Sequence, residues 1–215
     1  IPVNMPQARG FDLRGAVREA ASAVIGSPVH TVFGHDGGCL ALAESWLGAT
    51  RGARASLSIV VSTGVGGGFV VDGHYLPGAS GNAGHLGQVH ATPELTLEQV
   101  ASGPASVAWA RTQGWTGERG EDLARDAAAD PIARAAIERS AQAVGAALAD
   151  AATLVDLEVV AIGGGFSRVA DDYIDLVQAA LTATAAHDYS RRTRVVRSGL
   201  GDEGPLIGAA ALVLR

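Results

Sequence analysis

Two short runs of aliphatic and small residues, each followed by glycines, constrain the fold of this sequence most. The first run, Ser56 to Ser62, is followed by a stretch rich in glycine, and the second, Val159 to Ile162, ends in Gly163-Gly164-Gly165. A short apolar run bounded by glycines predicts a buried strand that ends in a tight turn. Helical segments lie between such runs, and strands that alternate with helices predict an α/β domain.

A β-hairpin is predicted around Asp72-Gly73, a residue pair typical of tight hairpin turns. We expect Gly64–Gly68 to form a loop, Phe69–Val71 the strand before the hairpin turn and His74–Leu76 the return strand. Antiparallel hairpin strands next to strands connected through helices make the predicted sheet mixed. The expected fold is therefore a mixed sheet flanked by helices.

Caps and apolar stripes locate the helices. Asp12 is expected to cap a first helix that ends at Gly26, and Asp130 a long helix over Pro131–Val155. The remaining predicted elements are a strand from Val29 to Phe33, a helix after Gly37-Gly38, a helix from Asp171 or Asp172 through Ala186, a strand from Thr193 to Val196 and a terminal helix from Pro205 to near Leu214.

The composition excludes several functions. With 215 residues, the chain fits one large domain or two closely joined lobes. It contains no lysine, so a Walker-type phosphate loop and a lysine Schiff base are both excluded. A net charge of −6 argues against a nucleic-acid partner. No stretch is apolar enough for a membrane span, so no membrane association is expected.

The number of cysteines indicates the redox state of the compartment in which the protein occurs. Cys39 is the single cysteine and cannot form an internal disulfide, and the six histidines show no zinc-ligand spacing. We expect a reducing, cytoplasmic location and no metal bound by the side chains.

Asp36 is the first candidate for chemistry, because it lies where a predicted strand ends and a helix begins. Small residues follow it and leave its carboxylate open, so it could accept a proton from an attacking hydroxyl. The alternative is that Asp36 is an ordinary helix N-cap.

The two glycine clusters are candidates for nucleotide binding. Backbone N–H groups without side chains in front of them can hold phosphate oxygens or admit a ribose, although such clusters are also common as plain tight turns. Together with one carboxylate for an acceptor hydroxyl, they form a minimal set for phosphoryl transfer. His85 could bind a sugar hydroxyl or be a surface histidine, and Glu98 alone indicates only a solvated carboxylate.

The sequence resembles the ROK family of bacterial sugar kinases and sugar-responsive repressors, from about Val3 to the C-terminus. The resemblance rests on His35-Asp36, Ser62 to Gly68, Asp72-Gly73, Gly78 to Gly87, Glu98 to Gly103 and Gly163 to Gly165. It implies an actin-like or hexokinase-like (ribonuclease H-like) fold and, among the kinases, similarity to glucokinases and N-acetylmannosamine kinases.

The resemblance also assigns roles to residues. It implies that Asp36 is the base that deprotonates the sugar hydroxyl attacking ATP, with Mg²⁺ bridging the phosphates. The sugar would contact His35, His85, Gln88 and Glu98. The nucleotide would contact Thr63, Gly64, Gly66, Gly67, Gly163, Gly164 and Gly165.

Three departures from the family pattern alter these expectations. His35 replaces the usual asparagine, and the family Gly-Glu-x-Gly-His stretch is Gly84-His85-Leu86-Gly87-Gln88 here, with a histidine as in N-acetylmannosamine kinases. Residues 91–97 replace the cysteine-rich zinc loop, so no structural zinc is expected. The N-terminal lobe with its Asp-Gly-Gly-Thr motif is not in the sequence, which makes the chain resemble an incomplete kinase.

The expected function is ATP-dependent phosphorylation of a hexose or an N-acyl hexosamine. The alternatives are the sugar-binding module of a ROK repressor and a catalytically silent remnant. We expect residues 1–35 to be the remnant of a small lobe, 36–204 a large lobe with both sites, and 205–215 a helix that packs back toward the small lobe. A homodimer is possible on the family pattern.

Overall fold

The computed structural model describes residues 10–214, and the chain divides into two compact units, residues 1–34 and 35–215. The start of the ROK resemblance at Val3 and the first residues of the expected small-lobe remnant lie outside the described residues. The division into a small-lobe remnant, a large lobe and a returning helix remains a prediction.

The described part of the first unit is built on helix α1, Leu13–Ile25. The Asp12 carboxylate accepts a hydrogen bond from the backbone N–H of Gly15 at 3.0 Å, and Gly26 ends the helix with φ of 77°. Both predicted caps are confirmed. The predicted strand from Val29 to Phe33 is wrong, because this segment is irregular. β-Branched residues favour a strand only where a neighbouring strand pairs with it.

The second unit contains a five-stranded sheet in the order β3-β2-β1-β4-β5. Strand β1 pairs antiparallel with β2 and parallel with β4, β2 pairs antiparallel with β3, and β4 pairs parallel with β5. The predicted mixed sheet is therefore confirmed. The strands are β1 Ala55–Val61, β2 Val65–Val71, β3 His74–Tyr75, β4 Val159–Gly163 and β5 Arg194–Arg197.

The glycines after β1 belong to the sheet and not to a loop. Only Ser62–Gly64 form the turn, and the predicted loop over Gly64–Gly68 is wrong beyond that point, since Gly66, Gly67 and Gly68 pair in register with β1. A Cβ atom on Gly68 would lie 2.8 Å from the Gly37 carbonyl oxygen. These glycines therefore permit a helix backbone to approach the strand. The predicted hairpin turn is confirmed, with positive φ at Asp72 and Gly73.

Helices cover both faces of the sheet. On one face, Leu57, Ile59 and Val61 of β1 join the main hydrophobic core together with helices α3, α4, α5, α6 and α7. On the other face, α2 contacts β1 and β2, and α9 packs on α2. The helices of this unit are α2 Asp36–Leu47, α3 Leu97–Ala101, α4 Gly103–Thr112, α5 Gly120–Asp126, α6 Pro131–Val155, α7 Tyr173–Thr184, α8 Asp188–Arg191 and α9 Gly204–Leu214.

Most of the predicted helix bounds agree with the structure. Helix α6 has the predicted ends, and the Asp130 carboxylate caps it by accepting hydrogen bonds from the N–H groups of Ile132 and Ala133. Helix α7 ends at Thr184, two residues before the predicted end at Ala186. Within residues 10–214, no helix combines the length and the hydropathy that a membrane span needs.

Candidate active site

The start of helix α2 places His35 and Asp36 in different environments. His35 is the N-cap, and its ring Nδ1 accepts a hydrogen bond from the backbone N–H of Gly38 at 3.2 Å. Asp36 is the first residue of the helix, and its side chain is 95% exposed. The alternative that Asp36 is the N-cap is therefore wrong. Its carboxylate is open to a ligand and lies at the positive end of the helix dipole.

The loop between β3 and α3 lies against the glycines of β2 and contains His85. Gly84 has φ of 97°, and a Cβ atom there would lie 2.8 Å from the Cα atom of Gly68. This close approach brings the ring centroid of His85 to 5.2 Å from that of His35. The structure thus brings two of the predicted sugar residues together beside Asp36.

Gln88 and Glu98 form the other half of the predicted sugar site. Gln88 Nε2 donates a hydrogen bond to Glu98 Oε1 at 3.4 Å. The second carboxylate oxygen of Glu98 accepts a hydrogen bond from the backbone N–H of Val65 at 2.9 Å. Glu98 is therefore fixed against the residue that follows the Ser62–Gly64 turn, and it is more than a solvated carboxylate.

Hydrogen bonds from α3 and α4 fix the Ser62–Gly64 turn. The Ser62 N–H donates to the Gly64 carbonyl oxygen at 2.9 Å, and the N–H of Gly103 donates to the Ser62 carbonyl oxygen at 2.8 Å. The Glu98 contact with Val65 holds the other end of the turn. A turn held from both sides keeps its backbone groups in one orientation, as a preorganised anion site requires.

A cavity of about 630 Å³ opens on the Ser62 and Thr63 side of this turn. This volume is in the range of small-molecule binding sites. Apolar residues of α4 and the segment after β4 form its wall, and charged side chains also line it. The lining residues include Pro104, Val107, Ala108, Gly165, Phe166 and Val169, and the charged ones are Arg111, Glu118, Arg119, Glu121 and Arg168.

The predicted nucleotide residues occupy different places around the cavity. Thr63 and Gly165 line it. Gly66 and Gly67 lie within β2. Gly163 ends β4, and Gly164, with φ of 93°, packs against the backbone of Val61. Gly64 lies beside the Glu98 carboxylate. No sequence pattern indicated Arg111, Arg119 or Arg168 as cavity residues, because arginines ordinarily face solvent.

Glu44 is a buried carboxylate that the sequence analysis did not single out. Its side chain is fully buried and accepts four hydrogen bonds, from the Ala49 N–H at 2.6 Å, the Ser198 hydroxyl at 2.5 Å, the Gly199 N–H at 3.2 Å and the Leu200 N–H at 3.1 Å. Ser198 in turn packs against Gly163. Glu44 therefore joins helix α2 to the segment next to the glycines at the end of β4.

Burial keeps the thiol and the phenol behind Asp36 protonated. Burial, followed by the negative charge of Asp36, raises the pKa of the Cys39 thiol. Burial also raises the pKa of the Tyr75 hydroxyl. Neither group is a nucleophile at neutral pH, so neither competes with the exposed Asp36 carboxylate as a candidate proton acceptor.

The described residues offer no protein cage for a cation. No group of three or more His, Cys, Asp or Glu side chains with metal-binding geometry occurs among residues 10–214. The expected lack of a structural zinc remains a prediction.

Comparison with known proteins settles the family. A sequence model of the ROK family matches residues 3–215. The chain belongs to the ROK family. The bifunctional enzyme NanE/NanK of Brucella suis biovar 1 is 35% identical over 193 residues, which are 88% of this chain and 35% of that enzyme. The chain thus spans about a third of the length of this relative.

Solved ROK structures share the fold. A ROK family glucokinase from Streptomyces griseus, in complex with glucose and AMPPNP, has a TM-score of 0.78 and 26% identity, covering 91% of this chain and 71% of that chain. A ROK transcriptional regulator, a homologue of the E. coli MLC protein, also has a TM-score of 0.78 and 26% identity, covering 91% of this chain and 54% of that chain. The predicted actin-like or hexokinase-like fold is confirmed.

Proposed function

We propose that the protein containing this chain is an ATP-dependent sugar kinase that phosphorylates a hydroxyl of a hexose or an N-acyl hexosamine. One observation carries the proposal: the Ser62–Gly64 turn separates a cavity of nucleotide size from the Glu98 carboxylate. A phosphoryl group at this turn would have a donor pocket on one side and sugar-binding side chains on the other. Phosphoryl transfer requires the donor and the acceptor hydroxyl to be held on opposite sides of the transferred group.

In this proposal Asp36 is the general base. Its exposed carboxylate accepts the proton of the sugar hydroxyl while the hydroxyl oxygen forms a bond to the γ-phosphorus, and ADP leaves with the electrons of the broken bond. His85, Gln88 and Glu98 hold the sugar.

The nucleotide would occupy the cavity with its base against the apolar wall that contains Val107 and Phe166. Its phosphates would point toward Ser62 and Thr63, where backbone N–H groups and the hydroxyls can bind oxygens. Magnesium, bound to the phosphates, would neutralise charge that develops during transfer. Within this chain, the turn and the arginines at the cavity offer donors for the phosphates.

The test is ATP-dependent turnover of a panel of hexoses and N-acyl hexosamines by the full-length natural protein that contains this chain. Asp36→Asn should lower kcat by about 10²- to 10⁴-fold, the usual contribution of a general base, and leave sugar affinity within a few-fold of wild type. Asp72→Asn is the matched control, because Asp72 is an exposed hairpin residue with φ of 49°, which asparagine tolerates. Unchanged turnover in Asp36→Asn would contradict the mechanism.

The second candidate is the sugar-sensing module of a ROK repressor, favoured by the similarity to the ROK transcriptional regulator and by the changed His35, His85 and Gln88. Sugar binding without turnover in the full-length protein would support this candidate over the kinase. If the natural reading frame extends before Ile1, an Asp-Gly-Gly-Thr strand there would favour the kinase and a helix-turn-helix the repressor. We also propose a cytoplasmic location, on the single cysteine.

A further inference from the structure

Both ring nitrogens of His35 are engaged by backbone groups. Nδ1 accepts a hydrogen bond from the Gly38 N–H at 3.2 Å, and Nε2 lies 3.1 Å from the Ala83 carbonyl oxygen. A neutral imidazole has one donor and one acceptor nitrogen. Because the Gly38 N–H can only donate and the Ala83 carbonyl can only accept, the partners assign the proton to Nε2.

The two partners of His35 lie on different parts of the candidate site. Gly38 is in the first turn of α2, two residues after Asp36, and Ala83 is two residues before His85. The His35 side chain is only 18% exposed, and the rings of Tyr75 and His85 lie beside it at centroid distances of 6.0 and 5.2 Å. His35 therefore bridges the helix that carries Asp36 and the loop that carries His85.

We propose that His35 is a positioning residue that clamps the loop of residues 78–88 to the start of α2. With both nitrogens engaged, the ring has no free hydrogen-bonding atom for a sugar, so recognition falls to His85 while His35 fixes where His85 stands. This inference rests on the proposed function only in assigning the loop to the sugar. It changes the role of His35 expected from the family resemblance, which was direct contact with the sugar.

Replacing His35 by asparagine separates the cap from the clamp. Asparagine is a good N-cap and can accept the Gly38 N–H bond, but its side chain is too short to bond the Ala83 carbonyl as well. In the full-length natural protein, His35→Asn should keep the thermal midpoint near wild type and weaken sugar binding by about 2- to 10-fold, the value of one lost hydrogen bond. Nucleotide affinity should not change.

Two further variants make the comparison specific. His35→Ala should lose the cap as well, and lower the thermal midpoint by about 2–4 °C in addition to the weaker sugar binding. His90→Asn replaces an exposed histidine outside the clamp and should leave both quantities unchanged. Wild-type sugar affinity in His35→Asn would overturn the clamp, because it would mean that sugar binding does not need the bond to the Ala83 carbonyl.

Two measurements test the clamp in the absence of sugar and ATP. Long-range ¹H–¹⁵N spectra of the imidazoles should show the Nε2–H tautomer for His35, and amide exchange in residues 78–88 should be faster in His35→Asn than in wild type. A proton on Nδ1, or unchanged exchange, would overturn the clamp. If the wild-type protein binds no sugar at all, the proposed function fails while these two measurements still decide the clamp.

Discussion

Replacing Glu44 by glutamine tests whether this buried carboxylate holds helix α2 to the segment before α9. Each of its oxygens accepts two hydrogen bonds, one pair from Ala49 and Gly199 and the other from Ser198 and Leu200. A glutamine has one acceptor oxygen and one NH₂ group. Its best orientation keeps the oxygen on the Ala49 and Gly199 N–H groups and turns the NH₂ toward the Ser198 hydroxyl, which can rotate to accept.

The cost of Glu44→Gln follows from what that orientation leaves unsatisfied. The Leu200 N–H faces another donor, and a buried donor without a partner costs about 1–3 kcal/mol. The remaining hydrogen bonds change from charge-assisted to neutral and lose roughly half of their strength. The free energy of unfolding should therefore fall by about 2–4 kcal/mol. A loss near 3 kcal/mol would lower the thermal midpoint by roughly 6–12 °C.

Urea unfolding monitored by circular dichroism measures the effect. Glu158→Gln is the matched control, because Glu158 is 45% exposed and its ion pair with Arg54 is largely solvated. The control should change the free energy of unfolding by less than about 0.5 kcal/mol. If Glu44→Gln behaves like the control, the reasoning from buried hydrogen bonds is refuted. Ser198→Ala should have a smaller effect, about 1 kcal/mol, since it removes one of the four bonds.

Two further predictions concern packing and pH. Gly68→Ala should destabilise the protein by about 1–3 kcal/mol, because its Cβ would lie 2.8 Å from backbone atoms of α2. Gly66→Ala is the control and should cost nothing or stabilise the strand, because the space at its Cβ is open. Equal urea midpoints for the two variants would contradict this prediction. Burial raises the pKa of the Tyr173 hydroxyl. The group therefore contributes stability below pH about 10 that is lost as the pH rises toward the raised value. Tyr173→Phe should lose less stability at alkaline pH than wild type. If the free energy of unfolding of the variant falls with pH as steeply as that of wild type, the prediction is wrong.

Elements with strong local signals were predictable from the sequence. Helix α6 has its capping Asp130, its first-turn Pro131 and an apolar stripe, and each of these acts within the segment itself. The hairpin turn has the same character, since Asp72 and Gly73 adopt the positive φ that the turn needs. In both cases the local chain determines the element.

Elements that depend on partners distant in sequence could not be predicted. The glycines of β2 resemble a loop locally, and the close packing at Gly68 becomes evident only from its distant contact with Gly37 and Gly38 of α2. The segment from Val29 to Phe33 has strand composition but no strand in the structure. Glu44 has no local pattern that distinguishes it from a solvated glutamate, because three of its four partners, Ser198, Gly199 and Leu200, are more than 150 positions away in sequence.

The sequence could propose residues for the candidate site but not the hydrogen bonds among them. The family resemblance pointed to Asp36, His85 and Glu98, and the structure places them around one turn and one helix end. It could not indicate that His35 is the cap of α2, since imidazoles are uncommon in that role. Nor could it indicate the bond between Glu98 and the Val65 N–H, which depends on how α3 packs against the sheet.

The contact between α2 and β2 has a consequence for how substrate preference can change. Where Gly37 and Gly38 meet Gly67 and Gly68, the contact consists of backbone, so substitution there can break the contact but cannot retune it. The start of α2, which carries Asp36, and the sheet thus form a fixed platform. The segment from β3 to α3 packs on this platform through the backbone of Gly84 and Gly87, and it carries His85 and Gln88, two of the proposed sugar contacts. In the proposed kinase, acceptor preference would therefore change through side chains of this segment while its glycines and Asp36 stay in place.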